Sequence, residues 1–255
     1  MHKDESHQNI VLTLSYDGTR YFGWQKTPTG SSIEEELQKV LEKVLDHPII
    51  LDAASRTDRG VHADGQIVRF FTQKKIDQDR LQYSLNQLLP PDIRVKKIRQ
   101  APHPAFHPTL DAIQKEYHYF IDTKSVASPF LRFTHWHIPQ ILQLETMEEA
   151  CPLFCGTHDF KAFCNSRKNL KYPDTTRHLS KLAIVPLENS CFRIELCANS
   201  FLYKMARNIV GTLVQIGQGK LKSADIPKIF DSKKRALAGL TAPAHGLILS
   251  SIFYG

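Results

Sequence analysis

The sequence predicts an α+β fold in two halves of similar style, each an antiparallel sheet backed by helices. Three observations carry that prediction. Strand and helix patterns alternate in the order β-α-β-β-α-β as far as Ile98. Prolines at 102, 104 and 108 then break any regular periodicity. Beyond them a second set of strands and helices begins, with no visible sequence identity to the first.

Ile10 to Tyr16 alternates as a strand and ends at the turn pair Asp17-Gly18. The loop TRYFGWQKTPTG follows, unusually rich in aromatics. Ser31-Ser32-Ile33-Glu34-Glu35 offers two overlapping capping-box registers, Ser31 with Glu34 and Ser32 with Glu35. Ile33, Leu37, Val40, Leu41 and Val44 recur at helical spacing, so an amphipathic helix is expected over 32–46. Strands are expected at Ile49 to Ala54 and Gly65 to Phe71. A second helix is expected over 77–89, with Ile76, Leu81, Leu85 and Leu88 inward and Pro90-Pro91 as its stop. Ile93 to Ile98 closes the unit as a strand with Ile93, Val95 and Ile98 inward. This order is that of the ferredoxin-like, or RRM-like, unit.

In the second half, Lys115 to Ile121 reads as a strand and Leu144 to Phe154 as a helix. Strands at Leu179–Pro186 and Phe192–Asn199, a helix over 201–217 and a last strand at Leu247–Phe253 complete it. The expected division is a first domain at 1–105 and a second at 106–255. A cleft between two such sheets is a natural ligand site.

A chain of 255 residues, 42% hydrophobic and 23% charged, has the composition of a soluble globular protein with a sizeable core. Lys and Arg outnumber Asp and Glu by 33 to 26, a net +7 that suits a polyanionic partner. Five cysteines, an odd number without a CxxC pair, read as reduced thiols of a cytoplasmic protein, mostly filling the core. The start, MHKDESHQN, is a polar tail without a secretory h-region, and no apolar run approaches the ~20 residues of a membrane span.

The stretch SRTDRGVHADGQIVRF packs Arg56, Asp58, Arg59, His62 and Asp64 just ahead of a strand pattern. By residue type alone, Asp58 is a turn residue bonding nearby amides, and the arginines are loop charges. A longer pattern changes that reading. Ala54-Ser55-Arg56-Thr57-Asp58-Arg59-Gly60-Val61-His62-Ala63 closely resembles the A-G-R-T-D-x-G-V-H-A signature of the TruA family of tRNA pseudouridine synthases. Five further segments resemble that family's motifs in the same order: YDGTRYFGWQ at 16–25, LNQLLPPDI at 85–93, GTHDFKAF at 156–163, ANSFLYKMARNIVG at 198–211 and APAHGL at 242–247. Together they span nearly the whole chain. Two departures stand out: Ser55, where the family usually has glycine, and Pro108-Thr109, where it usually has Ala-Arg.

The resemblance implies a pseudouridine synthase fold, with two RRM-like halves around a central catalytic cleft. It also implies the isomerisation of uridines 38, 39 and 40 in the anticodon arm of tRNA. That reaction breaks the N1–C1′ bond, turns the uracil and joins C5 to C1′. It needs no cofactor and no metal, only a group that holds one piece while the other rotates, which a carboxylate can do. Asp58 matches the family's nucleophile. Arg207, in an otherwise largely apolar helix, matches the arginine that pairs with it and offsets the cost of desolvating a carboxylate. Tyr117 matches the tyrosine that stacks on the extruded base. Periodicity puts Tyr117 and Tyr119 on one strand face, and Tyr119 is assigned to packing. Arg56 is expected to help flip the nucleotide or grip its phosphate, and His62 to support the loop. Arg20, Arg59, Arg167, Lys168 and Lys171 are further candidates for RNA contact, with Lys233-Lys234-Arg235 expected to be a solvated cluster. The family also implies a homodimer in which one tRNA touches both subunits.

Other signals carry less. His135 and His137 share a strand face but lack a third ligand at a recognisable spacing, so they read as satisfied strand histidines. Cys151 and Cys155 fall at i,i+4 and read as buried thiols. No Walker loop, dinucleotide fingerprint or nucleophile elbow is present.

Overall fold

The computed structural model describes residues 8–166 and 172–255. The chain folds as two compact units, one formed by the chain up to Ile113 with Leu249–Gly255, the other by Gln114–Ile248. The first contains β1 (Gln8–Tyr16), α1 (Ile33–Leu45), β2 (Asp52–Ala53), β3 (His62–Thr72), α2 (Gln78–Leu88) and β4 (Ile93–Gln100). β5 (Ala112–Asp122) leads into the second. There follow β6 (Trp136–His137), α3 (Leu144–Ala150), β7 (Gly156–Asp159), β8 (Thr176–Pro186), β9 (Cys191–Ala198), α4 (Met205–Gly217) and α5 (Ile226–Ser232). β10 (Leu247–Tyr254) carries the chain back to the first unit. The class is mixed α/β, as the sequence predicts.

In the first unit β1 lies between β4 and β3, antiparallel to both, and β2 pairs antiparallel with β3. The order β4-β1-β3-β2 is that of the ferredoxin-like unit. Ile10, Val11 and Leu12 are all fully buried, so β1 is covered on both faces. Val11 packs with Ala54, Ile67 and Phe106, while the buried stripe Ile33, Leu37, Leu41 and Leu45 gives α1 its apolar face. Each such fully buried aliphatic side chain stabilises the fold by ~1.5–3 kcal/mol. Ser32 settles the capping register, its side chain accepting the Glu35 N–H at 3.2 Å. In the second unit the order is β5-β9-β8-β7, antiparallel throughout, with β6 parallel to the end of β5.

Several elements differ from expectation for identifiable reasons. The strand expected at Ile49–Ala54 pairs only at Asp52 and Ala53, and Ile50 is 83% exposed. Here the Ile49 N–H goes to the Glu42 carboxylate instead of a ladder partner. Leu88 is 44% exposed, and Leu89 continues the buried stripe of Leu81 and Leu85. α3 stops at Ala150 because Pro152 forces a 3-10 turn over Cys151–Phe154. α4 begins at Met205 rather than 201, since Lys204 is left-handed (φ 61°). Tyr203 spends both backbone groups outside the helix, its N–H on the Tyr172 hydroxyl and its C=O on the Asn165 N–H. Among the described residues no helix is long and apolar enough to cross a membrane.

Candidate active site

Three of the matched segments meet in the first unit, and their meeting fixes the loop that carries Asp58. The loop from Asp17 to Trp24 packs against Ser55–Val61. Its Trp24 N–H donates to the Thr57 carbonyl at 3.0 Å, and the Gly18 N–H donates to Nδ1 of His62 at 3.0 Å. The hydroxyls of Tyr16 and Thr57, both buried, lie 2.8 Å apart. Buried Gln66 holds the other end of the loop, accepting from the Ser55 N–H and donating to the Ser55 carbonyl. Two glycines make the approach possible. A Cβ on Gly18 would fall 2.0 Å from the Val61 carbonyl oxygen, and one on Gly23 (φ +98°) would fall 2.6 Å from the Thr57 oxygen.

The supporting loop is itself braced. Gly23 and Trp24 offer their carbonyls to the Ile33 and Glu34 N–H groups, satisfying donors at the start of α1. The Asp92 carboxylate accepts from the Tyr21 hydroxyl at 2.5 Å and from Arg20, while its backbone carbonyl accepts the Asp17 N–H. Burial and Asp92 together push the Tyr21 hydroxyl well above its ordinary pKa. For Asp17, burial acts upward, but two hydrogen bonds from Thr19 and the neighbouring His62 together hold the carboxyl below the ordinary value. His62 has Nδ1 3.1 Å from Asp17 Oδ1, yet that nitrogen already accepts from Gly18. Nδ1 thus lies within reach of both the Gly18 N–H and the Asp17 carboxylate.

On this frame Asp58 is half-buried and its carbonyl accepts the Val61 N–H at 3.1 Å, closing a turn in which Gly60 takes a positive φ of 77°. Ser55 has no positive φ, so the absence of glycine there costs no backbone strain. Arg56 and Arg59 are exposed, and the Arg59 guanidinium lies 4.2 Å from the Phe22 ring centroid. Arg20 is 68% exposed while anchored on Asp92. His62 is buried behind the loop, its Nδ1 accepting the Gly18 N–H. Thr109, at the position of the family's usual arginine, is exposed and donates to the Ala53 carbonyl, next to the start of the Asp58 loop.

The other three segments meet in the second unit. Arg207, in the first turn of α4, donates through Nε to the Ala242 carbonyl at 2.7 Å, and the Ala242 N–H returns to the Arg207 carbonyl at 3.1 Å. Asn208 donates to the Phe163 carbonyl. Tyr117 is buried on β5 with its ring edge-on to Phe201, centroids 4.9 Å apart. Tyr119 is wholly buried and donates to the Pro243 carbonyl; burial raises its hydroxyl far above the ordinary pKa. Its assignment to packing agrees with that environment. Arg167, Lys168 and Lys171 lie outside the described residues.

Three readings need correction. Lys233-Lys234-Arg235 is not simply a solvated cluster: Lys233 pairs with Asp159 at 2.8 Å, and half-buried Arg235 bonds to internal oxygens. Cys151 is buried, with its thiol pushed up to about 12 by burial, but Cys155 is only half-buried. His135 lies just ahead of β6 and not on a strand face with His137; both have partners, His135 at the Thr134 hydroxyl and His137 at the Lys124 carbonyl. Among the described residues one group, Glu116, His118 and Glu195, brings its ligand atoms within 4.8 Å of one another. Glu195 there is already neutralised by Lys181 and Arg193, each 2.6 Å away. Sequence reasoning assigned no role to Tyr16, Thr57, Gln66 or Asp92. The signal was present for the first, second and fourth, which fall inside the matched segments.

Comparison with known proteins identifies the family. The family described as tRNA pseudouridine synthase matches residues 13–111 and 150–255, well over half of the chain. "tRNA pseudouridine synthase A 2" of Protochlamydia amoebophila is 50% identical over 98% of this chain and 95% of its own length. "tRNA pseudouridine synthase A 1" of the same organism is 42% identical, covering 95% of each chain. "tRNA pseudouridine synthase A" of Caldicellulosiruptor bescii is 41% identical over 97% of this chain and all of its own. The chain belongs to the tRNA pseudouridine synthase family, isomerases that convert uridine to pseudouridine in tRNA.

Proposed function

We propose that this synthase acts on uridines 38, 39 and 40 of the tRNA anticodon arm, with Asp58 as its nucleophile. The observation that carries the reading is the loop from Ser55 to Val61, fastened by Trp24, Tyr16, His62 and Gln66 so that a half-buried carboxylate is held on a rigid turn. Catalysis by an attached intermediate requires such a fixed group. Arg207 supplies positive charge to the reaction, Tyr117 the stacking face for the extruded base, and Arg56 a grip on the nucleotide. Arg20, Arg59, Arg167 and Lys168 contribute to RNA affinity, and His62 shapes the loop from behind.

The isomerisation is balanced without a co-reactant. The N1–C1′ bond breaks and the C5–C1′ bond forms; C5 loses its hydrogen as a proton, and N1 gains one. The chemistry calls for neither cofactor nor metal. The enzyme works in the cytoplasm as a homodimer, a reading supported by Val126, Phe130 and Phe133, apolar side chains exposed in one short stretch.

Pseudouridine mapping of total tRNA from a deletion strain tests the target. Loss of the modification at positions 38–40, restored by the wild-type gene and not by Asp58→Ala, is the expected result. Intact anticodon arms with a pseudouridine missing from ribosomal RNA would overturn the assignment.

A further inference from the structure

The half-buried guanidinium of Arg235 forms four hydrogen bonds, all to neutral oxygens. Nη2 donates to Asn208 Oδ1 at 2.8 Å and to the Thr241 hydroxyl at 2.9 Å; Nε donates to Asn165 Oδ1 at 3.2 Å and Nη1 to the Ala238 carbonyl at 3.3 Å. Asn208, fully buried, spends its whole amide in the same cluster. Its oxygen also accepts from Thr241 at 2.7 Å, and its nitrogen donates to the Phe163 carbonyl and to Asn165 Oδ1 at 2.8 Å. A network this densely bonded has few low-energy arrangements.

The position of that network matters. Asn208 follows Arg207 in the chain, and Thr241 precedes Ala242. Arg207 and Ala242 are joined to each other by two hydrogen bonds, one of which fixes Nε of the Arg207 guanidinium. Arg235 therefore clamps the two backbones one residue away from the pair that orients Arg207. An adjacent bond, from the Gly239 N–H to the Thr212 hydroxyl, and another from that hydroxyl to the Asn208 carbonyl, keep the 238–242 segment against α4.

We propose that Arg235 is a positioning residue for Arg207: by holding Asn208 and Thr241 together, it sets the direction in which the Arg207 guanidinium points. The inference rests on the reading of Arg207 as the cation of the reaction. A long side chain on a helix sweeps a wide cone unless its first polar atom is tied, and here Nε is tied to a carbonyl whose own place Arg235 fixes. A lysine at 235 would keep the charge but could not span four separated acceptors with a planar fork.

The test is kinetic, on the intact enzyme with a full tRNA transcript. Arg235→Gln is expected to lower kcat by roughly 10- to 100-fold while KM and tRNA Kd change by less than about twofold, because orientation and not binding is lost. Thr241→Val, which removes the two hydrogen bonds of the Thr241 hydroxyl and keeps the guanidinium, should show the same pattern more weakly. In an Arg207→Lys background, where the bond from Nε is already gone, Arg235→Gln should add no further loss. Arg207→Gln, run alongside, isolates the underlying reading. If it leaves kcat unchanged, the role of Arg207 falls and the proposal with it. If it abolishes turnover while Arg235→Gln and Thr241→Val leave kcat intact, only the positioning role falls. Equal loss in the Arg207→Lys and wild-type backgrounds, or a fall in tRNA affinity matching the fall in kcat, would also overturn it. Should Arg235→Gln fail to fold, Thr241→Val in the two backgrounds decides the matter alone.

Discussion

Replacing Gly18 by alanine puts one methyl group where the structure has no room for it. The new Cβ would sit 2.0 Å from the Val61 carbonyl oxygen and 2.8 Å from its carbon. Both are backbone atoms, so no side chain can swing away. A carbon–oxygen contact relaxes only beyond about 3 Å, so the two segments must separate by about 1 Å. Neither side gives easily. The Gly18 N–H is held by His62 and its carbonyl by the Tyr21 N–H, while the Val61 N–H is bonded to the Asp58 carbonyl. The displacement therefore reaches the turn that presents Asp58. Overpacking of this kind costs about 1–3 kcal/mol, and a 1 Å error at a reacting group costs on the order of 100-fold in rate. The assay is single-turnover tritium release from C5-labelled tRNA, read beside tRNA binding and thermal unfolding. Turnover should fall by about two orders of magnitude with binding nearly intact, and Tm by roughly 2–4 °C for each kcal/mol lost. Gly18→Ala with wild-type turnover and Tm would refute the claim that this contact holds the Asp58 loop.

Three further outcomes are expected. Asp92→Ala removes the acceptor of the buried Tyr21 hydroxyl and should cost about 1–3 kcal/mol in chemical denaturation, whereas Arg20→Ala, largely exposed, should leave stability near wild type. Thr109→Arg, which adds a positive charge beside the start of the Asp58 loop, should tighten tRNA binding and steepen its salt dependence by about 0.7–0.9 in log–log slope; an unchanged slope would mean that position 109 does not face RNA. Lys115 is buried on β5, and desolvation lowers its pKa from 10.5 to about 8. Below that value the fold carries a desolvated charge. Between about 8 and 10.5 the unfolded chain binds the proton that the folded one has lost, so stability should rise with pH across that window, by on the order of 3 kcal/mol. Lys115→Met should abolish the rise in urea titrations at pH 7.5 and 9.5; a rise that persisted would place its source elsewhere.

Much of the fold was legible because the local signals agree with the global one. Ser32 and the Ile33–Leu45 stripe mark α1 in the sequence before any tertiary contact is considered, and β1 is a strand by composition as well as by its place in the sheet. The expectations that shifted did so where a tertiary bond outbid a local pattern. Phe201 to Lys204 reads as helix, but Tyr203 is claimed by Tyr172 and Asn165, 31 and 38 residues away in sequence. The Ile49–Leu51 run looks like a strand, yet Ile49 is bonded to Glu42 and Ile50 faces out. At the candidate site the motifs named the segments and the folded chain supplied their reason for existing. Asp92 in one segment braces Tyr21 in another, and Tyr16 meets Thr57 in a third. Arg235 could not be found in this way. A run of three basic residues gives its charge but not the amide oxygens of Asn165 and Asn208 that surround it.

The most direct measurement is tritium release from an anticodon-arm transcript labelled at uracil C5, with wild type and Asp58→Ala side by side and binding of the same RNA measured for both. Rejoining the base through C5 must expel that hydrogen, so wild type should release one tritium per pseudouridine formed. Asp58→Ala should bind the RNA and release none. Release by Asp58→Ala at the wild-type rate would contradict the assignment of Asp58 as nucleophile, and absence of release by wild type on RNA that it binds would contradict the anticodon arm as its substrate.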